Sequence, residues 1–316
     1  MRQLFRFDPV LGYRFVPGLR ARVPHEDGGY PIRTNALGFR SDHEFVGEPK
    51  PGMRRVLLFG DSFTAGDGVP NAERFGDRLS NLMQGVEIYN LGLPATGTDQ
   101  QYLCWREFGR EISHDLLVIA VLIDNIRRIK PTYTPLIDES GTFCAYAKPR
   151  FELGPDGLSL RGVPVPRFPF GASALSPETS AGLRQIKHYG RLAPSPAPLP
   201  EYDDADDPSW LLMRAILTLW IAQSRRPVLI VPLPLHDFVE GEADPSAYRA
   251  RFSELSEATG CLLHDPLPEL RRYPPETRRG FRFPRDIHPT PAGHRALAAS
   301  IRPAIERVLA GTGDAG

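Results

Sequence analysis

Ser62 stands in the run Gly60-Asp61-Ser62-Phe63-Thr64, directly after four apolar residues, and Asp286-Ile287-His288 stands more than two hundred residues later. A serine hydroxyl, an imidazole and a carboxylate are the three groups of a nucleophilic relay. Histidine takes the serine proton, and the acid fixes the histidine's tautomer. The chemistry such a set performs is acyl transfer through a covalent serine ester. Residues two apart in an extended segment face the same side, so Asp286 is expected to reach the His288 imidazole. Either motif alone is a weak signal. Ser, Asp, His in that order, with the intervening elements, is a stronger one.

Those elements alternate. The apolar run 56–59 reads as a strand buried on both faces. Runs 86–90 and 116–122 read as the next two strands. Between them, 99–111 places Tyr102, Leu103, Trp105 and Phe108 on one helical face. A helix over 210–223, a strand over 227–232, a helix around 248–258 and a short strand at 261–263 continue the pattern. The final helix has Thr290 as N-cap, Pro291 in its first turn and Gly311 just past its end. Strands separated by helices predict an α/β fold with a parallel sheet and right-handed crossovers. A serine at the carboxyl edge of such a sheet lies where open α/β proteins bind ligands. Residues 1–50, rich in Pro, Gly and Arg, read as an N-terminal extension of short strands packed on a core domain spanning 51–316. The alternation breaks over 131–207, which reads as an insertion. It holds a hairpin over 151–160 closed by Pro155-Asp156-Gly157 and a Pro-rich run at 193–200.

From about residue 55 onward these motifs resemble the SGNH (GDSL-type) serine hydrolases. The resemblance implies a three-layer α/β/α sandwich of flavodoxin-like type, with Ser62 as nucleophile and its N–H in the oxyanion hole. The family's second block is matched in outline by Asn90-Leu91-Gly92-Leu93-Pro94-Ala95-Thr96-Gly97, with Ala95 where the family has an oxyanion-binding glycine. A backbone N–H survives that change, and Gly97 is the substitute candidate. The third block, Gly-x-Asn-Asp in the family, reads Leu122-Ile123-Asp124-Asn125 here. An amide stabilises an oxyanion by up to about 3–4 kcal/mol whereas a carboxylate repels it, so Asn125 is expected to donate, with Asp124 the competing occupant. The fourth block, commonly Asp-x-x-His, is Asp286-x-His288, a spacing that resembles carbohydrate acetylesterases and acetyltransferases of the family. Asp61, Asn90, Asp124 and His236 are expected around the pocket, and His294 is expected to be structural. No Gly-x-Ser-x-Gly occurs, which disfavours the nucleophile elbow of the α/β hydrolases.

Composition narrows the remaining classes. Formal net charge is +0 and Lys50, Lys130, Lys148 and Lys187 are the only lysines, so there is no basic excess of the kind nucleic-acid binding requires. No apolar run approaches the ~20 residues of a membrane span, and the start lacks a signal-peptide pattern. Cys104, Cys144 and Cys261 fit neither a metal nor a disulfide spacing. The expectation is a cytoplasmic esterase without metal or organic cofactor. It would remove an acetyl or other short acyl group from a carbohydrate or small metabolite. An O-acyltransferase using the same groups and a catalytically silent binding module on the same fold remain the alternatives.

Overall fold

A computed structural model of the chain describes residues 4–137, 143–167, 169–170 and 198–311. The Pro-rich run 193–200 lies outside these residues up to position 197.

The first 50 residues form two hairpins. β1 (Phe5–Asp8) pairs with β2 (Gly12–Phe15), and β3 (Arg20–Val23) pairs with β4 (Tyr30–Arg33). The central sheet then begins with β5 (Arg54–Gly60), β6 (Val86–Asn90) and β7 (Leu116–Leu122). A three-stranded sheet of β8 (Tyr133–Ile137), β9 (Phe143–Ala147) and the short β12 (Pro169–Phe170) forms next, flanking the hairpin β10 (Arg150–Gly154) and β11 (Gly157–Arg161). Gly154 faces Gly157 across that hairpin, as the Pro-Asp-Gly turn predicts. β13 (Val228–Leu233) and β14 (Leu262–Leu263) complete the central sheet.

The central sheet is parallel throughout, with spatial order β6-β5-β7-β13-β14. From β5 the chain steps out to β6 and then returns past β5 to β7. The direction of winding therefore reverses between β5 and β7, and a cleft opens beyond their carboxyl ends. The β5-to-β6 crossover, which carries the helix Phe75–Leu82, steps across the sheet opposite to the others, and right-handed crossovers place that helix on the other face. The C-terminal helix Pro291–Gly311 packs beside it, while Thr98–Cys104, Pro208–Gln223 and Ser246–Thr259 pack together. The result is the expected three-layer α/β/α sandwich.

Burial explains the strand sequences. All seven residues of β7 are buried, because it has a strand on either side and helices on both faces. Each large apolar side chain so buried contributes roughly 1.5–3 kcal/mol. Asp207 caps Pro208–Gln223 by accepting from the N–H groups of Ser209 (2.7 Å) and Trp210 (3.3 Å). The expected helix over 99–111 is two pieces: Thr98–Cys104 and a wider π turn, Trp105–Gly109. Gly109 allows this, since a Cβ there would lie 2.6 Å from the Phe59 ring. Gly311 is the last residue of the final helix and does not lie beyond it.

Both the N-terminal hairpins and the β8–β9 segment are bonded to the elements around the cleft. Tyr13 donates its hydroxyl to the Pro94 carbonyl (2.6 Å), and Gln100 donates to the Leu11 carbonyl (2.7 Å). Lys148, which follows β9, forms an ion pair of 2.5 Å with Asp99, and both side chains are almost wholly buried. Lys148→Met strands the Asp99 carboxylate in the interior and is expected to cost about 3–5 kcal/mol, read from the urea midpoint. Replacing both partners by apolar residues should recover most of that loss. An unchanged midpoint for Lys148→Met alone would show the pair to be energetically idle.

Candidate active site

β5 ends at Gly60 because a side chain there is impossible: a Cβ would lie 2.1 Å from Thr64 Oγ1 and 2.8 Å from the Ala120 carbonyl oxygen. The chain turns at once into a single helical turn, Ser62–Ala65, with Asp61 as its cap accepting from the Phe63 N–H at 3.0 Å. Ser62 opens that turn. Its backbone N–H makes no hydrogen bond among the described residues, as expected at a helix start. Asp61 is completely buried, and its second oxygen meets the Arg128 guanidinium at 3.0 Å. It is therefore a buried anchor beneath the serine and not a pocket-lining residue.

Asp286 and His288 form the expected pair. His288 Nδ1 and Asp286 Oδ1 are 2.5 Å apart, and the His288 backbone N–H donates to the same oxygen at 3.0 Å. The Phe63 ring, next to Ser62, lies 5.5 Å from the imidazole, which sets the pair against the serine-bearing turn. Among the described residues the Ser62 hydroxyl itself makes no hydrogen bond; such contacts commonly tighten only around bound substrate. Burial disfavours the charged imidazole, but the Asp286 bond and charge outweigh it, with help from Asp67 and Asp61. The His288 pKa is raised above its ordinary 6.5. Burial likewise opposes the Asp286 charge, yet bonds from His288 and His25 hold that carboxyl well below the usual carboxylate range. Deprotonated acid and basic imidazole is the state a relay needs.

The oxyanion candidates separate. Ala95 has φ +58°, the only positive φ outside glycine among the described residues. The position thus keeps the glycine-type geometry and, with it, an N–H that makes no hydrogen bond among the described residues. A left-handed alanine costs roughly 1–2 kcal/mol, against which a glycine's greater freedom when unfolded counts for part. Ala95→Gly is accordingly expected to raise stability by about 0.5–1 kcal/mol, seen as a higher urea midpoint. A lower midpoint would mean that the alanine methyl packs usefully there. Gly97 is not a free donor, since its N–H is directed at Gln100 Oε1 (3.4 Å) and it caps the following helix.

The Asn125 side chain is fully buried in the short 3-10 turn Ile123–Arg127, and among the described residues neither its amide nitrogen nor its oxygen is bonded, which leaves the amide able to donate. Asp124 is the residue of that turn tied to the serine's surroundings, because Arg128 bridges it (3.4 Å) to Asp61 (3.0 Å). Arg127 reaches the same Asp124 carboxylate at 3.9 Å. Asn90 is a bracket, donating to the Thr64 carbonyl (2.7 Å) and accepting from the Gly92 N–H (2.9 Å).

His236 opens the short helix His236–Glu240 beside the Asp-x-His segment. Its Nε2 lies 2.5 Å from the Ile287 carbonyl, holding the segment between Asp286 and His288, and burial lowers its pKa to about 4. His294 is fully buried, and its Nδ1 accepts from the Phe75 N–H (3.2 Å), capping the helix Phe75–Leu82. Three further residues carry no motif signal. Arg128 bridges Asp61 and Asp124. Arg40 is buried and donates to the Gly66 and Val69 carbonyls (both 2.6 Å), bracing the loop after the serine turn. His25 bonds Asp286 (3.1 Å) from 261 positions away. A separate cavity of about 410 Å³, lined in part by Asp203, Asp237, Glu242 and Asp244, contains none of the relay residues.

No model of a known protein family matches the chain, and no curated protein does. Solved structures align at low identity. A member of the lipolytic protein G-D-S-L family from Veillonella parvula is 12% identical, covering 80% of this chain and 99% of its own, with a TM-score of 0.44. An acetylxylan esterase from Geobacillus stearothermophilus is 15% identical over 81% of this chain and 96% of its own, at 0.45. A lipase/acylhydrolase from Enterococcus faecalis gives the same figures.

Proposed function

We propose that the chain is a serine ester hydrolase of the SGNH type, working through an acyl-enzyme on Ser62. The observation that carries this reading is the 2.5 Å Asp286–His288 pair, seated against a helical turn that opens on Ser62, whose N–H has no partner among the described residues. In this reading Ser62 Oγ attacks the ester carbonyl carbon while His288 Nε2 takes its proton. The N–H groups of Ser62 and Ala95 hold the oxyanion, and the leaving alcohol departs with the proton from His288. Water, activated by the same imidazole, then releases the acid and frees the serine. A short acyl group, acetyl above all, on a carbohydrate or small metabolite is the proposed substrate. The Asp-x-His spacing supports it. A cytoplasmic setting fits the free, buried thiols of Cys104 and Cys261.

The test is stopped-flow hydrolysis of p-nitrophenyl acetate with intact-mass detection of the protein, on wild type and Ser62→Ala. The reading expects a burst and an acetyl adduct that both vanish in the variant. Full activity in Ser62→Ala would refute it. Discharge of the adduct by water, in preference to added sugar hydroxyls, separates a hydrolase from an O-acyltransferase. Activity should also fall as pH drops through the His288 pKa, because only the neutral imidazole accepts the serine proton. The raised pKa puts the midpoint of the kcat/KM profile above 6.5.

A further inference from the structure

The loop between β3 and β4 grips the segment that carries Asp286. His25 Nε2 lies 3.1 Å from Asp286 Oδ2, the oxygen that His288 does not use. A carboxylate only accepts, so Nε2 is the protonated nitrogen of His25. Its neighbour Glu26 accepts the Arg285 backbone N–H with both carboxylate oxygens, at 3.0 and 3.1 Å. Two consecutive residues of the N-terminal loop thus hold two consecutive residues of the Asp-x-His segment. The His25 ring is itself fixed, edge-on to Phe283 at 4.4 Å and to Tyr30 at 5.9 Å, with its side chain only 10% exposed.

Asp286 needs such a grip. It lies outside any helix or strand, its side chain is 31% exposed and has two rotatable torsions, and the two His288 donors engage only Oδ1. With Oδ2 in water alone, the carboxylate could turn and the Oδ1–Nδ1 bond would be one of several rotamers. The His25 bond occupies the second oxygen, so both ends of the carboxylate are set and Oδ1 stays on the imidazole. We infer that His25 is a positioning residue of the relay, contributed by the N-terminal hairpins, which orients Asp286 and through it His288. The inference rests on the serine-relay reading above and extends the relay by one member, His25–Asp286–His288.

The experiment compares wild type with His25→Phe, which keeps a ring against Phe283 and Tyr30 but has no donor, and with His25→Gln, whose side-chain amide restores one. Two readouts are used. In the free protein, a histidine N–H held in a short bond to a carboxylate gives a far-downfield, slowly exchanging proton signal in NMR. That signal, assigned to His288 by its loss in His288→Gln, should disappear in His25→Phe and return in His25→Gln. In p-nitrophenyl acetate hydrolysis, His25→Phe should lower kcat on the order of 10-fold with KM unchanged, and His25→Gln should recover to within about 3-fold of wild type. A retained signal with unchanged kcat in His25→Phe would overturn the inference, as would equal impairment of both variants or a change confined to KM. Ser62→Ala in the same assay separates the two levels. If it is inactive and His25→Phe is not, the relay stands and the positioning role falls. If Ser62→Ala remains active, the relay reading falls as well, and with it any catalytic meaning of the His25 bond.

Discussion

Asp286→Asn should lower kcat by about 10⁴ while leaving the fold intact, the magnitude expected when the acid of such a relay is replaced by its amide. The side chain keeps its size and one acceptor oxygen, so packing changes little. What changes is the proton arrangement. Asp286 now accepts from His288 Nδ1, from the His288 backbone N–H and from His25 Nε2. An asparagine oriented to satisfy those donors turns its oxygen to one side and offers an N–H on the other. Wherever that N–H faces the imidazole, Nδ1 becomes the acceptor and Nε2 carries the proton. Nε2 is then unable to take the proton of Ser62. The charge that raises the His288 pKa is lost too, so the midpoint of the remaining activity should move to lower pH. Steady-state rates with p-nitrophenyl acetate from pH 5 to 9, alongside thermal unfolding of both proteins, measure all of this. A loss of less than about 10-fold would assign the acid elsewhere. Asp67 and Asp61, whose charges also act on His288, would be the next candidates.

Arg128→Ala should be the costliest of the site substitutions for stability, at about 3 kcal/mol. Asp61 is fully buried, and its Oδ2 has the guanidinium at 3.0 Å. Removing the cation leaves a charge uncompensated inside the protein, beneath the serine turn that the same carboxylate caps through Oδ1. The arginine side chain is one-quarter exposed, so solvent softens the penalty toward the lower end of the 3–5 kcal/mol usual for a broken buried pair. The pH dependence has a definite sign. Burial already raises the Asp61 pKa against the pull of Arg128, and without that cation it rises further. A group with a raised folded pKa favours the folded state when protonated and loses that contribution as pH increases. The deficit of the variant is therefore largest near neutrality and shrinks as Asp61 takes up a proton. Urea unfolding at pH 7 and pH 5 reads this out. Equal stability at pH 7 would make Arg128 a mere surface partner. The Asp124 carboxylate is then left with Arg127 at 3.9 Å as its cation, so kcat should also fall in the variant.

The elements of the central sheet were legible where the residues themselves carry the pattern. Strands 86–90 and 116–122 read residue for residue, the first from β-branched and aromatic residues at 86, 88 and 89 and the second from a continuous apolar run. The helix at the C-terminus announced itself through Thr290 and Pro291. The short helix Phe75–Leu82 and the sheet of β8, β9 and β12 did not. The first has its N-terminal N–H capped by His294, far along the chain, and the second has no long apolar run of its own.

The site shows the same division at finer scale. Sequence alone determined Gly60-Asp61-Ser62 and Asp286-x-His288, because a strand-ending glycine, a capping acid and two residues two apart are local relations that backbone geometry enforces. The left-handed backbone of Ala95, a residue that the family resemblance set at a glycine position, was seen only in the structure. Only the tertiary structure showed how the two residues after β7 are held. A shift of one place in a turn changes a side chain's direction, and the turn, not the composition, sets it; hence Asn125 is buried and Asp124 is bridged by Arg128 to Asp61. Only the tertiary structure brought His25 to Asp286 as well. A bond spanning 261 residues leaves no period or motif in the sequence and arises from how the N-terminal hairpins pack over the ends of the sheet.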